Sequence, residues 1–332
     1  MSCRVNIAMA ESKLDRLGKV IDELDARIAE LRRLVDEGGD AYRQELAELE
    51  QRSEQLATEL CSDLSSWDRV TLARHQRRPQ SLDYIDAIVD EFVELHGDRR
   101  FGDDRAMITG LGFIDGRPIA VVAQQKGRTT QERREHNFGM SHPEGYRKAM
   151  RVMQLAARMG RSIVTFIDTP GADCLADSES RGISEAIATN QRDMFSLPVP
   201  VVCTVIGEGG SGGAIGIGAG DTVMMLEHAY YSVITPEGCA AILWHDPALR
   251  EEAAAALKLT APDAVALGVV DRVVPEPPGG AHRSPSAAAA NLKQALKEEL
   301  DALAERKPDA LLQARYEKYR RMGMPEGLSP AI

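Results

Sequence analysis

The sequence predicts an α/β protein: a core of repeated strand–turn–helix units, entered through a helical hairpin and left through a C-terminal helix. Three observations carry this. From Ala106 to Val274, apolar strand-like runs alternate with amphipathic stretches closed by glycine, as expected of strands covered on both faces. Before them, apolar residues recur at steps of three and four. After them comes PEPPGGAHRSPS, a linker by composition. The expected organisation is a hairpin over 1–75, a core over 76–274, and a linker with a helix over 275–332.

The hairpin spans 11–65. Leu14, Leu17, Ile21, Leu24, Ile28, Leu31 and Val35 form a heptad seam, Gly38-Gly39 breaks it, and Leu46, Leu49, Leu56 and Leu60 resume it. Such a hairpin can cover its own core or clasp a partner subunit, and the narrow seam on so charged an element favours the arm. LARHQRRPQSLDYI then carries a basic cluster of Arg74, His75, Arg77 and Arg78, read either as solvated surface or as a meeting point for ligand phosphates. Asp83 to His96 reads as a helix with Ile85, Ile88, Val89 and Phe92 on one side.

MITGLGFIDGRPIAVVAQQKG reads as two strands joined at Asp115-Gly116. GYRKAMRVMQLAARMG is a helix closed by Gly160, and SIVTFIDTPGA a buried strand stopped by Pro170-Gly171. SRGISEAIATNQRDMFSLP is the next helix. DTVMMLEHAYYSVITPEGCAAILW reads as strand-like runs with a turn at Pro236-Glu237-Gly238. Ser286 to Glu305 is an alanine-rich helix, and the tail from Tyr316 is expected to be ordered only in part.

The centre of the pattern is Val199 to Asp221, VPVVCTVIGEGGSGGAIGIGAGD. A β-branched run to Ile206 breaks into GEGGSG, with four glycines and a serine from Gly207 to Gly212. Glycine at this density suggests a close approach to the main chain. Amides at the helix start could then hold a phosphate or a developing oxyanion. Gly207, Gly209 and Gly212 also spell G-x-G-x-x-G, with Glu227 twenty residues beyond Gly207, the dinucleotide fingerprint. The motif does not open its domain, however, and glycines continue at Gly213, Gly216, Gly218 and Gly220. Oxyanion site, nucleotide site and tight packing all remain open on this pattern.

Hydrophobic residues make up 43%, and the net charge of −11 argues against wholesale nucleic-acid binding. The five cysteines are scattered without metal-ligand spacing, which suggests a reducing compartment and no metal held by this chain. No apolar run reaches the ~18 residues of a membrane span, and the charged N-terminus does not resemble a signal peptide. A cytoplasmic protein is expected.

RKAMRVMQLA, SIVTFIDTPGA, VPVVCTVIGEGGSGGAIGIGAGD and YYSVITPEGCAAILW occur in that order, with LARHQRRPQSLDYI, HGDRRF, QQKGR, NFGM, PEGYRKA and PEPPGGAHR in register. Over about residues 65–300 the chain resembles the carboxyltransferase α-subunit family of bacterial multi-subunit acetyl-CoA carboxylase. The resemblance removes the dinucleotide reading. It implies a crotonase-like core of stacked ββα units. It also implies a β-subunit partner carrying a zinc ribbon, an α2β2 assembly, and work alongside biotin carboxyl carrier protein and biotin carboxylase. The implied reaction moves a carboxyl group from carboxybiotin to the acetyl methyl of acetyl-CoA. That makes malonyl-CoA, in the first step of fatty acid biosynthesis.

By the same resemblance, Gly212 and Gly213, after Ser211, hold the biotin oxyanion through their amides. Thr169, Pro170, Gly171 and Ala172 form the second wall of the biotin pocket. Lys126 and Arg128 lie at a strand end, where they could steer a phosphate or carboxylate or make ion pairs. His136, His142, His228, His245 and His282 are expected to be structural or surface groups. One departure stands out: the family continues with Tyr-Pro-Gly where this chain has Asp173-Cys174-Leu175-Ala176-Asp177, and Ile183 replaces a usual polar residue. Either the loop is re-formed around the same chemistry, or the chain serves another acyl-CoA or a non-catalytic role. A self-contained acyl-CoA hydrolase or isomerase would need an acid/base such as Asp173 or Glu208 facing the glycines.

Overall fold

A computed structural model describes residues 13–323. Helices α1 (Lys13–Asp36) and α2 (Arg43–Cys61) form the hairpin, and α3 (Ser66–Ala73) and α4 (Ser81–Ile88) follow it. Then come β1 (Asp90–Glu94), β2 (Met107–Ile114), β3 (Arg117–Gln124), α5 (Thr130–Glu135), α6 (Pro143–Arg158) and β4 (Ser162–Thr169). The middle of the chain gives α7 (Ala176–Ser180), α8 (Ile183–Met194), β5 (Val201–Gly210), α9 (Ser211–Ile215), β6 (Thr222–Leu226) and β7 (Tyr230–Ser232). The chain closes with α10 (Pro236–Trp244), α11 (Arg250–Leu257), α12 (Ala261–Ala266), β8 (Arg272–Val274), α13 (Pro285–Ala304) and α14 (Pro308–Arg321).

The eight strands of the described residues join one mixed sheet in the order β1-β2-β3-β4-β5-β6-β8, with β7 pairing the far end of β5. β1, β2 and β3 are antiparallel neighbours, and β3 through β8 run parallel. β4 and β5 are buried along their whole length, which is why both read as unbroken apolar runs. Their C-terminal ends, with that of β3, converge at one edge, the usual place for a site in a parallel sheet.

Where expectation and structure differ, tertiary context decides. The helix expected over Asp83–His96 stops at Ile88. Phe92 and Val93 belong instead to strand β1, which lies over two glycines of β2; a Cβ on Gly110 would fall 2.4 Å from the Phe92 ring. The turn at Pro236-Glu237-Gly238 is instead the first turn of α10. There Thr235 caps the helix by accepting the Gly238 amide at 3.2 Å, and Pro236 occupies the first position. The chain after Tyr316 continues as helix to Arg321, because Arg315 anchors α14. Its guanidinium is fully buried, pairs with Asp221 at 2.6 Å, and donates to the carbonyls of Met194, Leu197 and Val199. The rest of the tail lies outside the described residues.

The hairpin seam packs Ile21 against Leu56, Ala57 and Leu60. It is tied to its own chain by Arg283, whose Nη2 lies 2.8 Å from Asp25 Oδ1 and 2.7 Å from Ser53 Oγ. No described helix is long and apolar enough to cross a membrane.

Candidate active site

The turn after β4 and the turn after β5 are pressed together main chain to main chain. A Cβ on Gly210 would fall 2.2 Å from the Pro170 oxygen, and one on Gly213 would fall 2.5 Å from the Gly171 carbonyl carbon. No side chain fits there, so the glycines are dictated by close approach. Thr169 braces its own turn: its Oγ1 accepts the Gly171 amide at 3.1 Å and donates to the Gly171 oxygen at 2.6 Å.

β3 clamps the two turns. Gln124 Nε2 donates to the Gly213 oxygen at 2.7 Å, and Gln124 Oε1 accepts the Asp168 amide at 3.2 Å. The Tyr146 hydroxyl, on α6, reaches the same Gly213 oxygen at 3.3 Å. Ser211 opens α9 with φ +48°, a left-handed conformation that side chains rarely adopt. Gly212 and Gly213 lie in the first turn of α9, where backbone N–H groups have no acceptor within the helix, an arrangement that an oxyanion can use.

Beside Pro170 opens a cavity of about 360 Å³ whose lining includes Arg74, Lys126, Phe138, Asp168, Pro170 and Glu208, and not Gly212 or Gly213. Lys126 Nζ sits 2.7 Å from both Asp168 Oδ1 and Glu208 Oε1. Glu208 also accepts from Arg74 Nε at 2.7 Å and from the Tyr230 hydroxyl at 2.6 Å. Burial opposes charge on Lys126, yet the two carboxylates outweigh it and raise its pKa. Burial pushes Asp168 up. For Glu208 the burial penalty is overcome by Lys126 and Arg74, which hold it at about 2.

The structure therefore gathers Thr169, Pro170, Gly171, Ala172, Ser211, Gly212 and Gly213 at one pair of turns, with Lys126 next to them as the centre of a buried ion cluster. Arg128 lies apart: its side chain is exposed and pairs with Asp83. Of the basic cluster, Arg74, His75 and Arg78 line the cavity and Arg77 does not. Arg78 is buried on Glu276 at 3.0 Å, Arg77 pairs with Asp22 of α1, and the His75 ring stacks on His282 with centroids 3.8 Å apart. His136, His142, His228, His245 and His282 do not line the cavity. Gln124 and Phe138 were not singled out from sequence. For Gln124 a signal existed, since a strand that stays buried while turning polar asks what those amides bond.

The family model for acetyl co-enzyme A carboxylase carboxyltransferase-like proteins matches residues 15–323. The chain belongs to that family. It is 51% identical over 306 residues to the acetyl-coenzyme A carboxylase carboxyl transferase subunit alpha of Rippkaea orientalis, covering 92% of this chain and 94% of that one. With the protein of the same name from Synechocystis sp. it shares 50% over 305 residues, at the same coverage. Among solved structures, transcarboxylase 12S superposes with TM-score 0.57 at 19% identity, over 71% of this chain and 45% of that one. The β subunit of Pseudomonas aeruginosa geranyl-CoA carboxylase gives 0.54 at 15%, over 74% and 46%. These likenesses establish the crotonase-like carboxyltransferase fold.

After Ala172 the chain forms a loop, residues 173–175, that runs into α7. Asp173 is buried, its amide donates to the Ser141 oxygen at 3.1 Å, and its Oδ1 accepts from Asn137 Nδ2 at 3.2 Å. Burial alone would raise its pKa, but hydrogen bonds and the nearby His142 bring it below the usual carboxylate range. Asp177 pairs with Arg181 within the same loop.

Proposed function

We propose that this chain is the α subunit of a biotin-dependent acetyl-CoA carboxyltransferase, completed by a β subunit that carries the zinc ribbon. The observation that carries this reading is half-identity, over nine-tenths of the chain, to proteins bearing that subunit's name. The carboxyl group of carboxybiotin, delivered on a carrier protein charged by biotin carboxylase, passes to the methyl carbon of acetyl-CoA. The methyl proton goes to the biotin ring nitrogen, and the products are malonyl-CoA and biotin. Negative charge collects on the ureido oxygen as the carboxyl leaves. Backbone donors at Gly212 and Gly213 suit that charge because they neither titrate nor reorganise, and one such donor contributes ~3–4 kcal/mol to lowering a barrier.

The thioester enolate is held on the β subunit's turn, so the α chain alone is inactive, and an α2β2 assembly in the cytoplasm is the expected setting. Thr169 to Ala172, with Ser211, shape the biotin side of the pocket, and Lys126 contributes charge beside it. Arg128, paired with Asp83, has a surface role in this reading. The hairpin over 1–75 serves assembly, the core over 76–274 the chemistry, and 275–332 closes the core. A self-contained hydrolase finds no support: Asp173 is tied to Asn137, and Glu208 is locked between Lys126, Arg74 and Tyr230.

The test is malonyl-CoA formation from carboxybiotin and acetyl-CoA by the chain co-purified with its β partner. An assembled complex that makes none overturns the reading.

A further inference from the structure

Asn137, Phe138 and Gly139 lie consecutively in the left-handed region, with φ of +42°, +55° and +81°. For a bulky residue such a conformation is an outlier that persists only when its surroundings impose it, and such outliers gather at ligand clamps. The surroundings here are specific. Asn137 Nδ2 donates to the Met140 oxygen at 2.8 Å and to Asp173 Oδ1 at 3.2 Å, joining the turn to the loop after β4. Gly139 lies so close to the cavity's ion cluster that a Cβ there would fall 2.8 Å from Lys126 Cγ and 3.0 Å from the Asp168 oxygen. Between these anchors Phe138 stays 47% exposed, in the lining of the 360 Å³ cavity. The fold thus holds a large apolar ring out of its own core, at a strained position, among charged groups.

We propose that Phe138 contacts the ligand, its ring and Pro170 forming the face against which the fused bicyclic ring of the biotin substrate packs. The proposal deepens the carboxyltransferase reading and rests on it. The chemistry matches: biotin offers a flat urea edge that wants polar donors and an apolar thioether ring that suits an aromatic face. The cavity is of small-molecule size, and within its largely charged and polar lining Ala73, Phe138 and Pro170 supply the apolar surface. Arg133 lines the same cavity, a cation that suits the carboxyl group that the substrate carries. Phe138 then supplies a side-chain grip on the ring, separate from the backbone donors.

The test uses Phe138→Gly and Phe138→Leu in the assembled two-subunit complex, with biocytin as the probe in a saturation-transfer NMR titration and melting followed in parallel. Glycine adopts φ +55° freely, so Phe138→Gly should hold or raise the melting temperature while weakening biocytin binding about tenfold. Phe138→Leu, keeping bulk and strain without the ring, should weaken it by a smaller factor. A melting temperature that falls by several degrees in Phe138→Gly assigns the ring to packing and overturns the proposal. So does unchanged biocytin affinity in both variants. Malonyl-CoA turnover by the same wild-type complex reports separately on the reaction. Turnover without a biocytin contrast removes Phe138 alone. The contrast without turnover keeps the ring contact and removes the reaction.

Discussion

Gln124, at the last position of β3, donates its side-chain amide to the carbonyl oxygen of Gly213, 2.7 Å away, and takes the backbone amide of Asp168 on its other side. One neutral side chain thus fixes the spacing between two turns whose own residues are too small to lock each other. Gln124→Leu preserves the volume and removes both bonds, leaving Asp168's amide unpaired and Gly213's oxygen with Tyr146 alone. A buried polar group left unpaired costs ~1–3 kcal/mol. Steady-state kinetics of the assembled complex should show kcat down by at least about tenfold, with KM for acetyl-CoA little changed. An unaltered kcat would show that the clamp is irrelevant to the chemistry.

Gly212 and Gly213 should respond differently to the same methyl group. A Cβ on Gly212 meets nothing closer than Ile187 Cδ1 at 3.6 Å, whereas one on Gly213 lands 2.5 Å from the Gly171 carbonyl carbon and 2.7 Å from the Ala172 amide nitrogen. Gly213→Ala forces the turns apart, and its turnover should fall about a hundredfold or more, the scale of losing one oxyanion donor. Gly212→Ala should melt like the wild type. Paired melting curves and turnover numbers decide it; equal effects at the two positions would contradict the packing described.

Lys126 neutralises two buried carboxylates at once, which makes its removal a question of folding before it is one of binding. Lys126→Met leaves Asp168 without its cation, while Glu208 keeps Arg74 and Tyr230, and breaking a buried pair of this kind typically costs ~3–5 kcal/mol. Denaturant titration at neutral pH should show that loss. The double variant Lys126→Met with Asp168→Asn should recover part of it by removing the stranded charge. No recovery would mean that the cluster is not the source of the cost.

The stacked pair His75 and His282 carries a pH prediction. Burial, with His75, Arg78 and Arg77 nearby, draws the His282 pKa down to about 3 despite Glu276; burial and Arg77 lower His75 as well, against Asp22. The unfolded chain, with histidine near ~6.5, binds the extra proton in between, so stability is full above that value and declines as pH falls. Urea midpoints between about pH 6.5 and 5, above most carboxylate titration, should therefore drop, and His282→Leu should flatten the slope. A slope identical in the two proteins would assign the loss to other groups.

How much of this could be read from the residues follows their physics. β4 and β5 were legible because strands buried on both faces leave an unbroken apolar signature, and the hairpin because its seam repeats every few residues. β1 was not, since Asp90 to Glu94 becomes a strand only because Gly110 and Gly112 of β2 leave room for Phe92 and Val89. α10 was missed because Pro236 ends a strand pattern and begins a helix equally well. Within the site, glycine density announced the turns, but the clamp by Gln124 depends on a pairing between residues 89 positions apart. The strain at Phe138 leaves no mark in composition at all.

Arg315 gives the chain an order of events. Its guanidinium fills the space among the carbonyls of Met194, Leu197 and Val199 just ahead of β5 and pairs with Asp221 just ahead of β6. During synthesis those partners emerge from the ribosome about a hundred residues before the arginine does. Until α14 is released, the entry to the central strands holds a carboxylate and several carbonyls without their cation. Sealing the entry to β5 and β6 is thus tied to the docking of α14, whose arginine supplies the charge that the buried Asp221 needs.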